Sequence, residues 1–307
     1  MSIYLPIAEM SQSLLLLLAL GFAIGIISGM FGIGGGFILT PFLIFLGIPA
    51  GTAVGTGACQ VAASSVSGAI GHLQRGNVDI RMGLYLIGGG LVGAMLGVEL
   101  QQQLKAIGQL DLFTTLTYVV MLGIIGTLML IESLRAIQKT AAGGTPALSV
   151  RRAGQHSFVQ RLPLKRRFRV SKLYISTIPP VAIGLLVGWL TAIMGVGGGF
   201  LLVPALIYVL RVPTRVALGT SSFQIIFVTV FATLLQVVRN QSVDALLAAP
   251  LIAGGVIGAQ IGVGLGEQMK AEQLRAALAF LVLAVAVRMA FDLVAPPSDL
   301  FSIHSQV

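Results

Sequence analysis

Two runs of consecutive glycine, Gly34-Gly35-Gly36 and Gly197-Gly198-Gly199, are the residues of this chain best placed to do chemistry. Each lies inside an apolar stretch, and each leads into a phenylalanine and then a proline: Phe37 and Pro41, Phe200 and Pro204. Consecutive glycines disfavour continuous helix by about 1 kcal/mol each relative to alanine. The runs therefore predict broken helices, unwinding at the glycines and restarting near Phe37 and Phe200. Unwound backbone is tolerated at membrane depth only where it is buried in protein or lines a cavity. Its freed N–H groups and the positive end of the restarted helix favour an anion. Glycines spaced by four carry a different signal. Gly89, Gly93 and Gly97, and again Gly254, Gly258 and Gly262, fit close packing of helices in lipid.

Polar residues follow each run. Thr56 and Gln60 are four apart and share a helix face, as do Thr220 and Gln224, with Ser221 beside them. A glutamine offers two donors and an acceptor to a guest. The candidate substrate-binding set is thus Gly34, Gly35, Gly36, Thr56, Gln60, Gly197, Gly198, Gly199, Thr220, Ser221 and Gln224. Arg75 and Arg239 stand at segment ends, where they either snorkel to headgroups or serve as a gate that attracts anions. His72 is a candidate proton carrier by its intrinsic pKa, although a helix end also suits an interfacial residue. Arg288 and Asp292, four apart, are placed to pair on one face.

Other chemistries lack their residues. One cysteine, Cys59, forms no disulfide and no cysteine metal cluster, and no HExxH arrangement occurs among the three histidines. Neither glycine run has a Walker A lysine or a βαβ context, so nucleotide binding has no support. With no acid–base pair or metal set repeated within the bundle, the expectation is no enzyme, no cofactor and no metal.

These residues need elements to hold them, and composition says of what kind. Hydrophobic residues make up 56% of the 307 and charged residues 9%, against about 25% charged in soluble chains. The expectation is an all-α polytopic membrane protein. Apolar segments fall at about 13–31, 37–47, 52–72, 82–100 and 112–132, then 173–194, 199–211, 215–237, 246–265 and 274–294. Eight are long enough to span a core that needs about 20 residues of helix. The short ones, 37–47 and 199–211, each follow a glycine run. Leu14–Leu18 reads as part of a retained first helix, since no basic region precedes it.

The two halves repeat one another. Met30–Pro41 aligns with Ile193–Pro204, and at nearly constant offset Pro49, Gly55, Thr56, Gln60, Arg75 and Asp79 match Pro213, Gly219, Thr220, Gln224, Arg239 and Asp244. Glycines, prolines and polar residues held in register across a half indicate a duplication of about five segments, four long and one short. If the short segments cross, the copies have inverted topology; if they are re-entrant, the copies are parallel. Charge arbitrates. Residues 133–172 hold ten Lys or Arg and no acid, while the whole chain carries +9. Between apolar segments this is a cytoplasmic loop under the positive-inside bias, not a nucleic-acid site, with attraction to anionic lipid as a further role. With that loop inside, the inverted arrangement also places Arg75, Arg81, Arg211, Arg215, Lys270 and Arg275 inside and leaves Lys105 and Arg239 outside. The expected organisation is a first transmembrane repeat at 1–132, a basic cytoplasmic linker at 133–172, a second repeat at 173–295 and a tail at 296–307.

Duplicated Gly-x-Gly-Gly-Gly-Phe-x-x-x-Pro, each copy followed by a polar helix containing Gly-Thr, resembles the TauE/SafE sulfite exporter family, also called 4-toluene sulfonate uptake permeases. The resemblance covers about residues 13–294. It implies a multi-pass protein of the cell membrane, the inner membrane in bacteria, that carries a small sulfur-containing anion such as sulfite or a sulfonate. Alternating access with neutral hydrogen-bond donors is the expected mechanism, and a proton is the candidate coupling ion. A passive anion channel and a non-transport accessory subunit are the alternatives. A reporter fused after Val307 tests the architecture: inverted copies place it on the non-cytoplasmic side, and a cytoplasmic signal would favour parallel copies.

Overall fold

The computed structural model describes residues 2–31, 34–141, 163–168, 170–171, 173–268 and 271–294. The middle of the basic linker, 142–162, and the tail at 296–307 lie outside the described residues. A hairpin of β1 (Ser2–Leu5) and β2 (Met10–Ser13) leads into α1 (Leu14–Phe31), α2 (Gly36–Phe45), α3 (Ala50–Gln74), α4 (Ile80–Ala106) and α5 (Leu110–Ala141). A second hairpin, β3 (Lys165–Phe168) and β4 (Leu173–Ser176), leads into α6 (Ile178–Met194) and α7 (Gly199–Pro204). There α7 runs on as a π-helical turn, Ala205–Val209. Next come α8 (Thr214–Leu235) with its own π-helical turn Gln236–Asn240, α9 (Ala245–Gln268) and α10 (Ala271–Val294).

Among the described residues five helices are long and apolar enough to cross a membrane: 80–106, 110–131, 216–240, 245–262 and 277–294. Eight were expected. The glycine breaks cut α1 to 18 residues and α6 to 17, while α3 reaches 25 residues but dilutes its apolar side chains with Ser, Thr and Gln. Two boundaries also differ from the sequence expectation. The linker at 133–172 opens as the last turns of α5 and closes as the β3–β4 hairpin, so 173–176 is strand rather than membrane helix. Large apolar side chains face outward around the bundle, with Leu128 62% and Phe280 73% exposed. Such a surface is satisfied by lipid and not by water.

Helix pairing follows the glycine ladders. On α1, a Cβ at Gly21 would lie 2.6 Å from the Leu251 carbonyl oxygen, and Cβ atoms at Gly25 and Gly29 would overlap the backbone of Gly255 and Ala259. The rising numbers on both sides make α1 and α9 parallel neighbours. In the same way Cβ atoms at Gly89 and Gly93 would overlap the carbonyls of Val181 and Leu185, and one at Gly97 would lie 2.7 Å from that of Trp189, which packs α4 parallel to α6. The four-residue spacing is therefore a backbone-to-backbone seam, as small-residue ladders are in membranes. Elsewhere α3 packs on α8, and α5 on α10.

Each broken helix folds back. Gly35 lies against Ile24 and Ser28 of α1, and at the far end of α2 the Leu46 carbonyl accepts from Gln12 Nε2 at 3.2 Å. So α2 returns to the end of the bundle where α1 began. The Ile7 amide, in the β1–β2 turn, donates to Asp244 Oδ2 at 3.1 Å, and the Ala50 amide to Asp111 Oδ1 at 3.2 Å. The first hairpin and the starts of α3, α5 and α9 thus share that end. At the other end Ser171 donates from its amide and its hydroxyl to Asp79 Oδ2, at 3.0 and 2.8 Å, and Phe168 packs with Leu210 and Val212.

The seams give a stability prediction with an internal control. Gly93→Ala places a methyl against the Leu185 carbonyl and should destabilise the protein by about 1–3 kcal/mol or more. Gly88→Ala, where a Cβ meets nothing within 4 Å, should be neutral or gain up to about 1 kcal/mol of helix propensity. Thermal melting in detergent separates the two; equal midpoints would remove the seam.

Candidate functional site

Helix α1 stops at Phe31 and α2 restarts at Gly36; α6 stops at Met194 and α7 restarts at Gly199. Both restarts use the same device. Gly35 (φ 65°, ψ −16°) and Gly198 (φ 71°, ψ −2°) precede α2 and α7 in the left-handed region, which costs an L side chain about 1–2 kcal/mol and glycine nothing. The carbonyls of these glycines start the new helices, accepting from Ile38 and Leu39 at 3.1 and 3.2 Å and from Leu201 and Leu202 at 3.1 and 2.8 Å. Ser28 and Thr191, which match across the repeats, lie against the two glycines: a Cβ would meet Ser28 Cβ at 2.8 Å or Thr191 Oγ1 at 2.9 Å. Sequence reading passed over both. Their alignment beside the glycines was the available signal.

The two breaks meet. A Cβ on Gly36 would lie 2.9 Å from the Val196 carbonyl, and the rings of Phe37 and Phe200 stack with centroids 5.6 Å apart. Val61 of α3 packs against both, its methyls facing Gly34, Gly36 and Gly197. Residues 195–200 are all buried. Among the described residues no acceptor meets the amides of Gly199 and Phe200.

Carbonyls on the other side of the second break are covered. Gln236 Nε2 donates to the Ala192 carbonyl at 3.2 Å, Gln101 Nε2 to that of Ile193 at 3.2 Å, and the Tyr118 hydroxyl to that of Met194. Asn240 Nδ2 and Ser242 Oγ then donate to Gln236 Oε1 at 2.8 and 3.0 Å. The π-helical turn at Gln236–Asn240 brings both amides to one face, a use to which single π turns are often put. This network borders a cavity of about 300 Å³, lined also by Thr52, Lys105 and Asp111, at the end shared by the first hairpin. Gln101, Gln236 and Asn240 were not singled out from sequence, because polar residues near the ends of apolar segments look interfacial.

The expected polar set divides. Thr56 Oγ1 accepts from the Asp244 amide at 3.2 Å and Thr220 Oγ1 from the Asp79 amide at 3.0 Å, while Ser221 Oγ donates to the Leu218 carbonyl at 2.9 Å. Gln60 and Gln224 differ from these. Both are fully buried, and neither amide atom of either has a hydrogen-bond partner. They are not brought together: Gln60 Nε2 lies 2.6 Å from where a Cβ of Gly255 would be, and Gln224 Nε2 2.9 Å from that of Gly90. Glycines on α9 and α4 thus make room for them. Arg239 pairs with Glu99 at 2.8 Å, and Arg75 is exposed at the end of α3.

Known proteins resemble this chain along its length. A family model described as sulfite exporter TauE/SafE matches residues 17–289. A probable membrane transporter protein of Xylella fastidiosa is 30% identical over 282 residues, covering 90% of this chain and 94% of the relative. The probable membrane transporter protein YunE of Bacillus subtilis is 24% identical, covering 92% and 98%. No solved structure matches. Apolar helices around paired breaks, in a chain matched nearly end to end by membrane transporters, place this multi-pass membrane protein in the TauE/SafE sulfite exporter family.

Proposed function

We propose that the protein is a secondary carrier of a small sulfur-containing anion, such as sulfite or a sulfonate, working by alternating access between two inverted repeats. The observation that carries this reading is the meeting of two glycine breaks at the buried centre, each restarting a helix after a left-handed glycine. Inverted repeats with broken helices near midplane are a recurring transporter design. Three features support inversion here. The first hairpin and the end of α2 share one end of the bundle; the second hairpin and the end of α7 share the other. Helix α1 pairs with α9 as α6 pairs with α4. Ten basic residues follow the first repeat, which sets that end inside by the positive-inside rule.

Chemistry favours an anion over a cation at the second break. The carbonyls that end α6, at Ala192, Ile193 and Met194, are occupied by side chains, whereas the amides of Gly199 and Phe200 meet no acceptor among the described residues. Neutral donors suit a carrier, because a permanent charge pair would retain the cargo. Gln60 and Gln224 add an unoccupied donor and acceptor each. A buried amide without a partner costs about 1–3 kcal/mol, a cost that a function in binding explains. The cavity beside Lys105 gives the outer approach, and with Arg239 neutralised by Glu99 we assign anion attraction there to Lys105. A proton is the proposed coupling ion.

Reconstituted vesicles test the function directly. Sulfite, thiosulfate, sulfate, sulfoacetate and taurine are offered in turn, and saturable, counter-ion-dependent flux of one of them is expected. Absence of flux for all five would remove the substrate class; unsaturable flux would make the protein a channel. Gly35→Leu and Gly198→Leu should each abolish flux while leaving inserted protein, and normal flux in both would end the role of the breaks. Gln60→Leu and Gln224→Leu should melt at or above the wild-type midpoint yet lower flux by about tenfold or more. Unchanged flux in both would take the amides out of the site.

A further inference from the structure

We infer that the β3–β4 hairpin is a docking surface for the phosphate headgroups of anionic phospholipids. The chain holds two hairpins of identical plan. In each, four residues pair with four, Ser2 with Ser13 through Leu5 with Met10 in one and Lys165 with Ser176 through Phe168 with Leu173 in the other. Each buries the last residue of its first strand, Leu5 or Phe168, and each bonds a buried aspartate through its turn. The scaffolding is shared; the charge is not. Residues 2–13 carry Glu9 alone, whereas residues 165–176 carry five Lys or Arg and no acid. A fold that needs no basic residue at one end therefore leaves the exposed Arg166 and Arg167 at the other without a structural task.

The hairpin is held rigidly and faces outward. Phe168 packs edge-on against Tyr85 at 6.2 Å, and Ser171 is tied twice to Asp79. Arg166 and Arg167 are exposed, and Arg167 lies directly across from Tyr174, itself 62% exposed. Apolar side chains begin to face outward just below, at Ile80 and Ile178, which sets the hairpin at the level of the headgroups. An arginine beside a tyrosine at that level matches the membrane interface: the guanidinium forks onto phosphate oxygens, and the ring tolerates the polar–apolar boundary. Basic clusters immediately outside a membrane helix draw anionic lipid. This surface acts whatever the protein carries.

Native mass spectrometry of the full chain in detergent, titrated with phosphatidylglycerol or phosphatidylcholine, tests the assignment. The wild type should bind phosphatidylglycerol more tightly. Arg166→Gln/Arg167→Gln should weaken it by roughly 30-fold, the loss of two basic side chains at the surface, and Arg166→Lys/Arg167→Lys should keep most of it. Thermal midpoints of both variants should match the wild type. Equal affinity for the two lipids, or a glutamine variant that still binds phosphatidylglycerol as the wild type does, would overturn the proposal.

Discussion

A helix that breaks inside lipid must find new partners for the peptide groups it frees, and this constraint organises the centre of the protein. At the second break the solution is one-sided. Side chains from α4, α5 and α8 reach the carbonyls of Ile193, Met194 and Ala192, while the amides that open α7 meet no acceptor among the described residues. Lipid supplies no hydrogen bonds, so a donor left open there is costly unless something visits it. The helix ends run the same way, since α6 presents its negative end to covering donors while α7 opens with its positive end.

Two aspartates join the halves at the ends of the bundle. Asp79 begins α4 and accepts from Met82 and from Ser171 of the second hairpin; Asp244 begins α9 and accepts from Leu246, Leu247 and Ile7 of the first. Their own amides donate to Thr220 and Thr56. Every one of these bonds that leaves its helix joins residues far apart in the chain. A carboxylate at a helix start is favoured by the dipole, and one saturated by N–H donors can be buried without a countercharge. The exchange means that neither half of the chain is complete alone: each lends a threonine and a hairpin to cap a helix of the other.

Much of this was legible in the amino-acid order, and the failures have physical causes. The breaks and the glycine seams could be read because glycine has few other uses inside an apolar helix. The threonines could be found but not assigned, since Thr56 looks the same whether its hydroxyl meets cargo or the amide of Asp244. Asp79 and Asp244 were visible only as repeat markers, because their bonds go to residues far away in sequence. Both hairpins escaped notice: Ser2–Ser13 and Lys165–Ser176 are short, and the second lies in a run whose charge hides the alternation of Phe168 and Ile175. The partnerless amides of Gln60 and Gln224 could not be seen at all before packing was known, although their pairing across the repeats marked them as unusual.

The seams also limit how such a molecule can change shape. Where Gly25 meets Gly255 and Gly93 meets Leu185, backbone touches backbone, and interfaces packed that closely do not slide by small amounts. Each broken helix is therefore locked to a helix of the other half of the chain, α1 to α9 and α6 to α4. Between α5 and α10 the close approach at Gly126 is instead to the side chains of Leu283 and Val282.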